Sequence, residues 1–426
     1  WRLWSATAIS NLGDGISGVA YPWVASAVTR SPLLIAAAGF ASRLPWLIFT
    51  LHAGVITDRF DRRKLIVAMD AIRGVLTLIV GAIVLLNKDS LPSLNDLSSI
   101  TDLETNWPLY ITLVITAFLF GLAEVLRDNS AQTLMPSVVE AENLEKANGR
   151  MWSAESLTHS FIGPPLGSLL IAVAIYLPFF VDAGSFFVAV ALIASISGSF
   201  KPIQEKPREK INFKSEIKEG FRWLWSHDLL RPMAIILGAL NLLGTMVAAT
   251  FILYTQEVLN TSVFVFAVLG TAGAVGGIAG GLIAPKISEK IGSGPSLWLS
   301  LAMGPIGAVI IGTTSAWQVV WVVLLFQSFF SILWNTITVS LRQRIIPSHL
   351  LGRVNSVYRF FGWGSIPIGM FLGGGLVTIA QNFVSREMAL RAPYFAGAAL
   401  GVLLFIFAAP RLTTKAIEHA RAEAQG

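Results

Sequence analysis

The chain has 426 residues, of which 54% are hydrophobic and only 13% charged, with a net charge of +6 and no cysteine. A mean hydropathy of +0.67 excludes a water-soluble globule with an ordinary polar surface. The lack of cysteine excludes disulfides and thiolate metal sites without identifying a compartment.

Crossing a hydrocarbon core of about 30 Å takes roughly 20 helical residues, and apolar runs of that length recur between short polar interruptions. Twelve spans are predicted, near 3–28, 31–57, 65–86, 108–135, 149–175, 178–200, 229–257, 263–285, 295–314, 317–341, 353–380 and 394–410. Unbroken apolar runs without period-two alternation predict helices rather than barrel strands. With a cytoplasmic N-terminus and alternating spans, Lys and Arg collect on the cytoplasmic side. Only Arg30, Lys88, Arg386 and Arg391 fall outside it, and Arg43, Arg73, Arg127 and Arg359 fall within spans. This bias predicts that both termini are cytoplasmic, and it accounts for the net charge without a nucleic-acid partner.

The first span carries Asn11 and Asp14 at its middle and shows no small-residue cleavage site, so it reads as a span rather than a removable signal peptide. The second span holds Arg43. Ionised groups at mid-bilayer are costly unless paired or hydrated. Asp14 and Arg43 therefore either form a static ion pair joining the first two helices, or Asp14 carries a proton. Between spans two and three, Gly54-Val-Ile-Thr-Asp58-Arg59-Phe-Asp61-Arg62-Arg63-Lys64 packs charge into a short turn. Such a turn resists translocation, and its Asp58 can face a helix N-terminus or pair with Arg59 and Arg62. Asp70, Arg73, Arg127 and Asp128, near the cytoplasmic ends of spans three and four, can extend that cluster.

In span four Glu124 and Asp128 are four residues apart and share a helical face, which disfavours their joint ionisation. Glu124 is the expected proton-cycling group, Glu155 on span five the second acceptor, and Asp14 the next candidate. Asp182 reads as a structural cap and His159 as a satisfied interfacial histidine. Segment 201–228 opens as a Pro- and charge-rich linker. It then places Ile217, Phe221, Leu224 and Trp225 on one apolar helical face, suited to the inner leaflet or to packing as a tether on the bundle. The second half has one deep charge, Arg359, among aromatic and amide residues, of which Asn241, Phe251, Phe330, Trp334, Asn335 and Trp363 are the expected substrate-cavity set. An acidic half facing an aromatic one suits bulky, partly cationic amphiphiles.

Aligning Gly54 with Gly281, and Leu134–Gly149 with Ile345–Ser356, pairs similar features in the same order in both halves, as expected for a duplicated six-helix unit. The expected architecture is an all-α integral membrane protein of two pseudo-symmetric six-helix bundles. Its parts are an N-terminal bundle at 1–200, a cytoplasmic linker with an amphipathic helix at 201–228, a C-terminal bundle at 229–410 and a cytoplasmic tail at 411–426.

The charged turn resembles the signature Gly-x-x-x-Asp-Arg-x-Gly-Arg-Arg loop of the major facilitator superfamily, with Asp61 in place of the second glycine. His159-Ser-Phe-Ile-Gly163-Pro164-Pro165-Leu-Gly167 is similar to that superfamily's antiporter-associated Gly-Pro-x-x-Gly element, and the whole chain resembles its macrolide and tetracycline efflux branch. The resemblance implies a proton-driven exporter of hydrophobic or amphiphilic compounds in a bacterial cytoplasmic membrane, acting as a monomer without a cofactor. In it Asp58, Arg59, Arg62, Arg127 and Asp70 would latch the cytoplasmic side. The alternative within the fold is a lipid-like or siderophore substrate. A membrane enzyme is disfavoured because the sequence holds neither a Walker-type phosphate loop nor zincin-like His spacing.

Overall fold

The computed structural model describes residues 1–57, 59–94, 96–140, 144–198, 200, 213–347 and 350–423. Among these, the regular elements are helical: α1 (Arg2–Val28), α2 (Pro32–Thr57), α3 (Arg62–Leu86), α4 (Trp107–Val138), α5 (Leu144–Glu155), α6 (Gly163–Val173), α7 (Leu177–Ala194), α8 (Phe213–Ser226), α9 (Leu230–Ala248), the short α10 (Phe251–Leu253), α11 (Val263–Ile291), α12 (Ser293–Thr313), α13 (Trp317–Ile345), α14 (Leu351–Ala380), α15 (Arg386–Ala408) and α16 (Thr414–Glu423).

Eleven of the described helical stretches are long and apolar enough to cross a membrane. The predicted first span is not among them, although it folds as the 27-residue α1. Ser5, Ser10, Asn11, Asp14 and Ser17 lower its hydropathy, and more than half of its residues are buried by neighbouring helices. The predicted last span starts too late. α15 begins at Arg386, where the Ser385 hydroxyl accepts the Met388 N–H, and the charged residues that mimic a loop are held in place. Arg391 donates to the Gly312 carbonyl at 2.8 Å and pairs with Glu387 at 2.9 Å.

The chain groups into two compact units, Trp1–Glu205 with Ile252–Thr271, and Lys206–Phe251 with Ala272–Gly426. In the first, α1 packs on α6 and α7, α3 on α4 and α7, and α2 on α4. Segment 252–271 belongs to this unit partly through a buried polar joint. Arg30, between α1 and α2, lies 2.6 Å from Glu257 and donates to Gln256 at 2.6 Å, and Gln256 donates to the Ser26 hydroxyl at 2.9 Å. A π-turn at Tyr254–Val258 presents Gln256 and Glu257. In the second unit α14 packs on α8 and α9, and α12 on α13 and α15, around Met233, Ile236, Trp334, Leu341, Val354 and Tyr358.

The predicted amphipathic helix is α8. Its Leu224 is buried and Gly220 sits against the Arg353 backbone of α14, while Phe221 and Trp225 stack on each other at 5.2 Å with exposed edges. Residues 201–212 and the Ile217 side chain lie outside what is described.

Asp61 explains how the charged turn dispenses with a second glycine. Its φ of −65° is open to any residue, and it caps α3 by accepting the Lys64 N–H at 3.1 Å and the Phe200 N–H at 3.0 Å. Burial pushes its carboxyl upward, but those two amides and the Arg63 charge outweigh burial and hold it below the ordinary range. A depressed carboxyl contributes stability above its unfolded value of about 4, and that contribution is lost as pH falls through the lower folded value. Asp61→Ala is expected to cost about 1 kcal/mol at neutral pH. The gap to wild type should close on acidification. Melting curves in detergent from neutral to acid pH check this, and a gap constant with pH would contradict it.

Candidate functional site

Mid-helix charge in the first unit forms a chain of ion pairs. Asp14 lies on α1 between Gly13 and Gly15, and Arg73 reaches it from α3. One guanidinium nitrogen of Arg73 is 2.8 Å from both Asp14 oxygens, and the other is 3.2 Å from Asp70. The same guanidinium lies over the rings of Phe120 and Phe186, at 4.7 Å and 4.3 Å. Arg127 continues the chain, 3.5 Å from Asp70 and 3.3 Å from Asp128, and donates to the Thr7 hydroxyl at 3.2 Å. Arg73 and Asp70 are almost wholly buried. The expected Asp14–Arg43 pair is not formed: Arg43 on α2 is exposed, and the long side chain of Arg73 takes its place.

Glu124 has no cation in contact among the described residues. The Trp46 indole donates to it at 3.3 Å, although Arg73 and Arg43 act on it electrostatically. Glu155 ends α5 with an exposed side chain, and His159 is exposed rather than satisfied at an interface. Asp182 is more than a cap. It is fully buried on α7, accepts the Ser17 hydroxyl at 2.5 Å, and has no ion-pair partner among the described residues.

Pro164 and Pro165 lack N–H groups, so the α-helical ladder cannot run unbroken through them. α5 accordingly passes into a π-turn at Ser156–Ile162 before α6 begins at Gly163. This re-aims the helix and brings its glycines onto α1. A Cβ on Gly163 would lie 2.7 Å from the Gly15 Cα, and one on Gly167 2.5 Å from the Ile16 carbonyl oxygen. In the second unit Gly369 and Gly373 of α14 meet α9 equally closely.

Asp58 lies outside the described residues, and Arg59 is exposed. Arg62 donates to the Thr133 carbonyl at 3.0 Å and the Ser137 hydroxyl at 3.3 Å, and Arg63 donates to the Ile196 carbonyl. These contacts tie the turn to the ends of α4 and α7.

The second unit carries an open cavity of about 940 Å³ lined in part by Asn241, Phe251, Phe330, Trp334, Asn335 and Trp363. All six residues picked out in the sequence thus meet around one space. Arg342 and Arg359 line it as well. Arg342 lies just past the predicted end of its span at 341, and α13 carries it on to Ile345. No group of three or more His, Asp or Glu side chains among the described residues is placed to hold a metal.

The Major Facilitator Superfamily sequence profile matches residues 3–369. The multidrug efflux pump Tap of Mycobacterium tuberculosis is 25% identical over 398 residues, covering 91% of this chain and 89% of Tap. The enterobactin exporter EntS of Escherichia coli is 24% identical over 408 residues, covering 94% and 89%. Among solved structures, the nucleoside transporter NupG superposes with a TM-score of 0.67 at 11% identity, covering 96% of this chain and 98% of that one. A bacterial homologue of the iron transporter ferroportin, in its inward-facing state, gives 0.67 at 16% identity, covering 95% and 98%. At these identities the two structures speak for the fold alone.

Proposed function

Because the chain belongs to the Major Facilitator Superfamily, a family of multi-pass membrane transporters, we propose that it is a secondary active exporter. It carries hydrophobic or amphiphilic drugs or metabolites out of a bacterial cell in exchange for protons by alternating access. In this reading it spans the cytoplasmic membrane twelve times with both termini inside, the charged turn around Asp58 acts as a conformational latch, and the proton gradient is the only energy source. The monomer is the working unit.

The observation that carries the proton-exchange reading is the carboxyl-rich interior of the first unit. Arg73 sits in the field of Asp14, Asp70, Glu124 and Asp128, and of these Glu124 has no cation in contact among the described residues. An acid at membrane depth whose one described contact is an indole N–H rather than a cation is a functional candidate. The multidrug pumps among its relatives support drugs as substrates. A second reading, export of a siderophore, is favoured by the enterobactin exporters among those relatives.

Glu124→Gln fixes the group in a neutral form. Gradient-driven export should be lost, while substrate binding and downhill exchange persist. Substrate-induced proton release from detergent-solubilised protein decides it: release undiminished in the variant means that the proton travels elsewhere, with Asp14 next to be tested.

A further inference from the structure

Among the described residues, those lining the cavity of the second unit bring two guanidinium groups and no carboxylate. None of these residues is acidic, and neither Arg342 nor Arg359 forms an ion pair with any described residue. Arg342 lies 3.9 Å over the ring of Tyr358, beside Arg359 in sequence, and spends one N–H on the Thr338 carbonyl at 3.4 Å. Both arginines fall inside helices long and apolar enough to span a membrane; Arg342 is in the last turn of its helix, whereas Arg359 lies deeper, where a cation without an ion pair among the described residues marks a functional candidate.

The cavity is also polarised along its length. Arg342 is near the C-terminal end of α13 and Arg359 two turns into α14. Ile311, at the C-terminal end of α12, lines the cavity as well. α12 and α13 are joined by the short turn after Thr313 and pack together. The ends of the cavity near Ile311 and Arg342 are therefore almost a helix length apart. Between them lie Phe330, Trp334 and Trp363 with the amides of Asn241 and Asn335. A volume of about 940 Å³ is in the range of drug-sized ligands.

We propose that this cavity takes aromatic amphiphiles bearing an anionic group, with the ring system against Trp334, Trp363 and Phe330 and the acid on Arg342 and Arg359. The sequence pattern points to partly cationic compounds, but the carboxyls that suggest them belong to the first unit, and no described residue lining this cavity is acidic. The proposal rests on the reading of the chain as an exporter of amphiphiles and narrows its substrate class. Binding can be measured without transport.

The test compares pyrenesulfonate with pyrenylmethyl-trimethylammonium, one ring system with opposite charges, by calorimetry on the purified full chain in zwitterionic nanodiscs against empty discs. The sulfonate should bind at least about tenfold more tightly, with a preference that shrinks as salt is raised. Arg359→Gln and Arg342→Gln should each cut sulfonate affinity by about tenfold and leave the ammonium compound unchanged or tighter. Should Arg342→Gln fail to fold, Arg359→Gln alone carries the test, because the Arg359 side chain is exposed and has no hydrogen-bond or ion-pair partner to lose among the described residues. Equal or tighter binding of the ammonium compound, or sulfonate affinity unmoved in the arginine variants, overturns the proposal. Charge-selective binding through the arginines without gradient-driven export in proteoliposomes would uphold this site and refute the exporter reading.

Discussion

Arg73→Ala is expected to be the most damaging single substitution in the first unit, lowering stability by about 3–5 kcal/mol. The guanidinium is bonded to Asp14 at 2.8 Å and to Asp70 at 3.2 Å, with Phe120 and Phe186 against its faces. Removing it leaves Asp14 in low dielectric without its cation and Asp70 with only Arg127 at 3.5 Å, and opens a void between two rings. The void cannot be refilled by changing the acids, but the stranded charge can be removed. Asp14→Asn combined with Arg73→Ala should therefore recover part of the loss, and a double-mutant cycle on melting temperature should report coupling between the two sites. Arg43→Ala should leave melting close to wild type, because Arg43 is exposed. If Arg43→Ala destabilises as much as Arg73→Ala, or the cycle shows no coupling, the ion pair described here is not what holds these helices.

That contrast shows what was legible in the sequence. Hydropathy locates α2 to α4 and α12 to α14 to within a few residues at both ends, and the starts of α7 and α11, because apolar runs and helix caps are local properties. The aromatic and amide set of the second half meets around one cavity because residues on successive helices of a bundle project into a shared interior. The partner of Asp14 is not a local property. It depends on which helix lies across from α1 and on the reach of an arginine, and the nearer residue in sequence, Arg43, turns away. Arg342 falls past its predicted span for a related reason: its charge ends the apolar run, whereas the backbone stays helical for three more residues. Asp182 looked like a cap by its position near a helix end. Only the approach of Ser17 from α1 shows it to be fully enclosed. The π-turn before Gly163 could have been anticipated from Pro164 and Pro165, since two missing donors in succession force the ladder to change register.

Gly15 and Gly18 lie one turn apart on α1 and should respond in opposite ways to the same substitution. A Cβ on Gly15 would stand 2.4 Å from the His159 carbonyl oxygen, whereas a Cβ on Gly18 meets nothing within 4 Å. The obstacle at Gly15 is backbone, so it cannot rotate aside; α1 and the π-turn at Ser156–Ile162 would have to separate. Gly15→Ala is therefore expected to cost about 1–3 kcal/mol of overpacking, against a gain of up to about 1 kcal/mol from helix propensity. Gly18→Ala takes the gain without the clash and should be neutral or stabilising. Helices in lipid associate largely through such close small-residue contacts. Forcing this crossing apart should thus also impair transport, because the same crossing positions Asp14 on its neighbours. Melting temperature and drug efflux measured on the two variants side by side provide the check. Equal behaviour of Gly15→Ala and Gly18→Ala would show that α1 does not approach the Gly-Pro segment as closely as 2.4 Å requires.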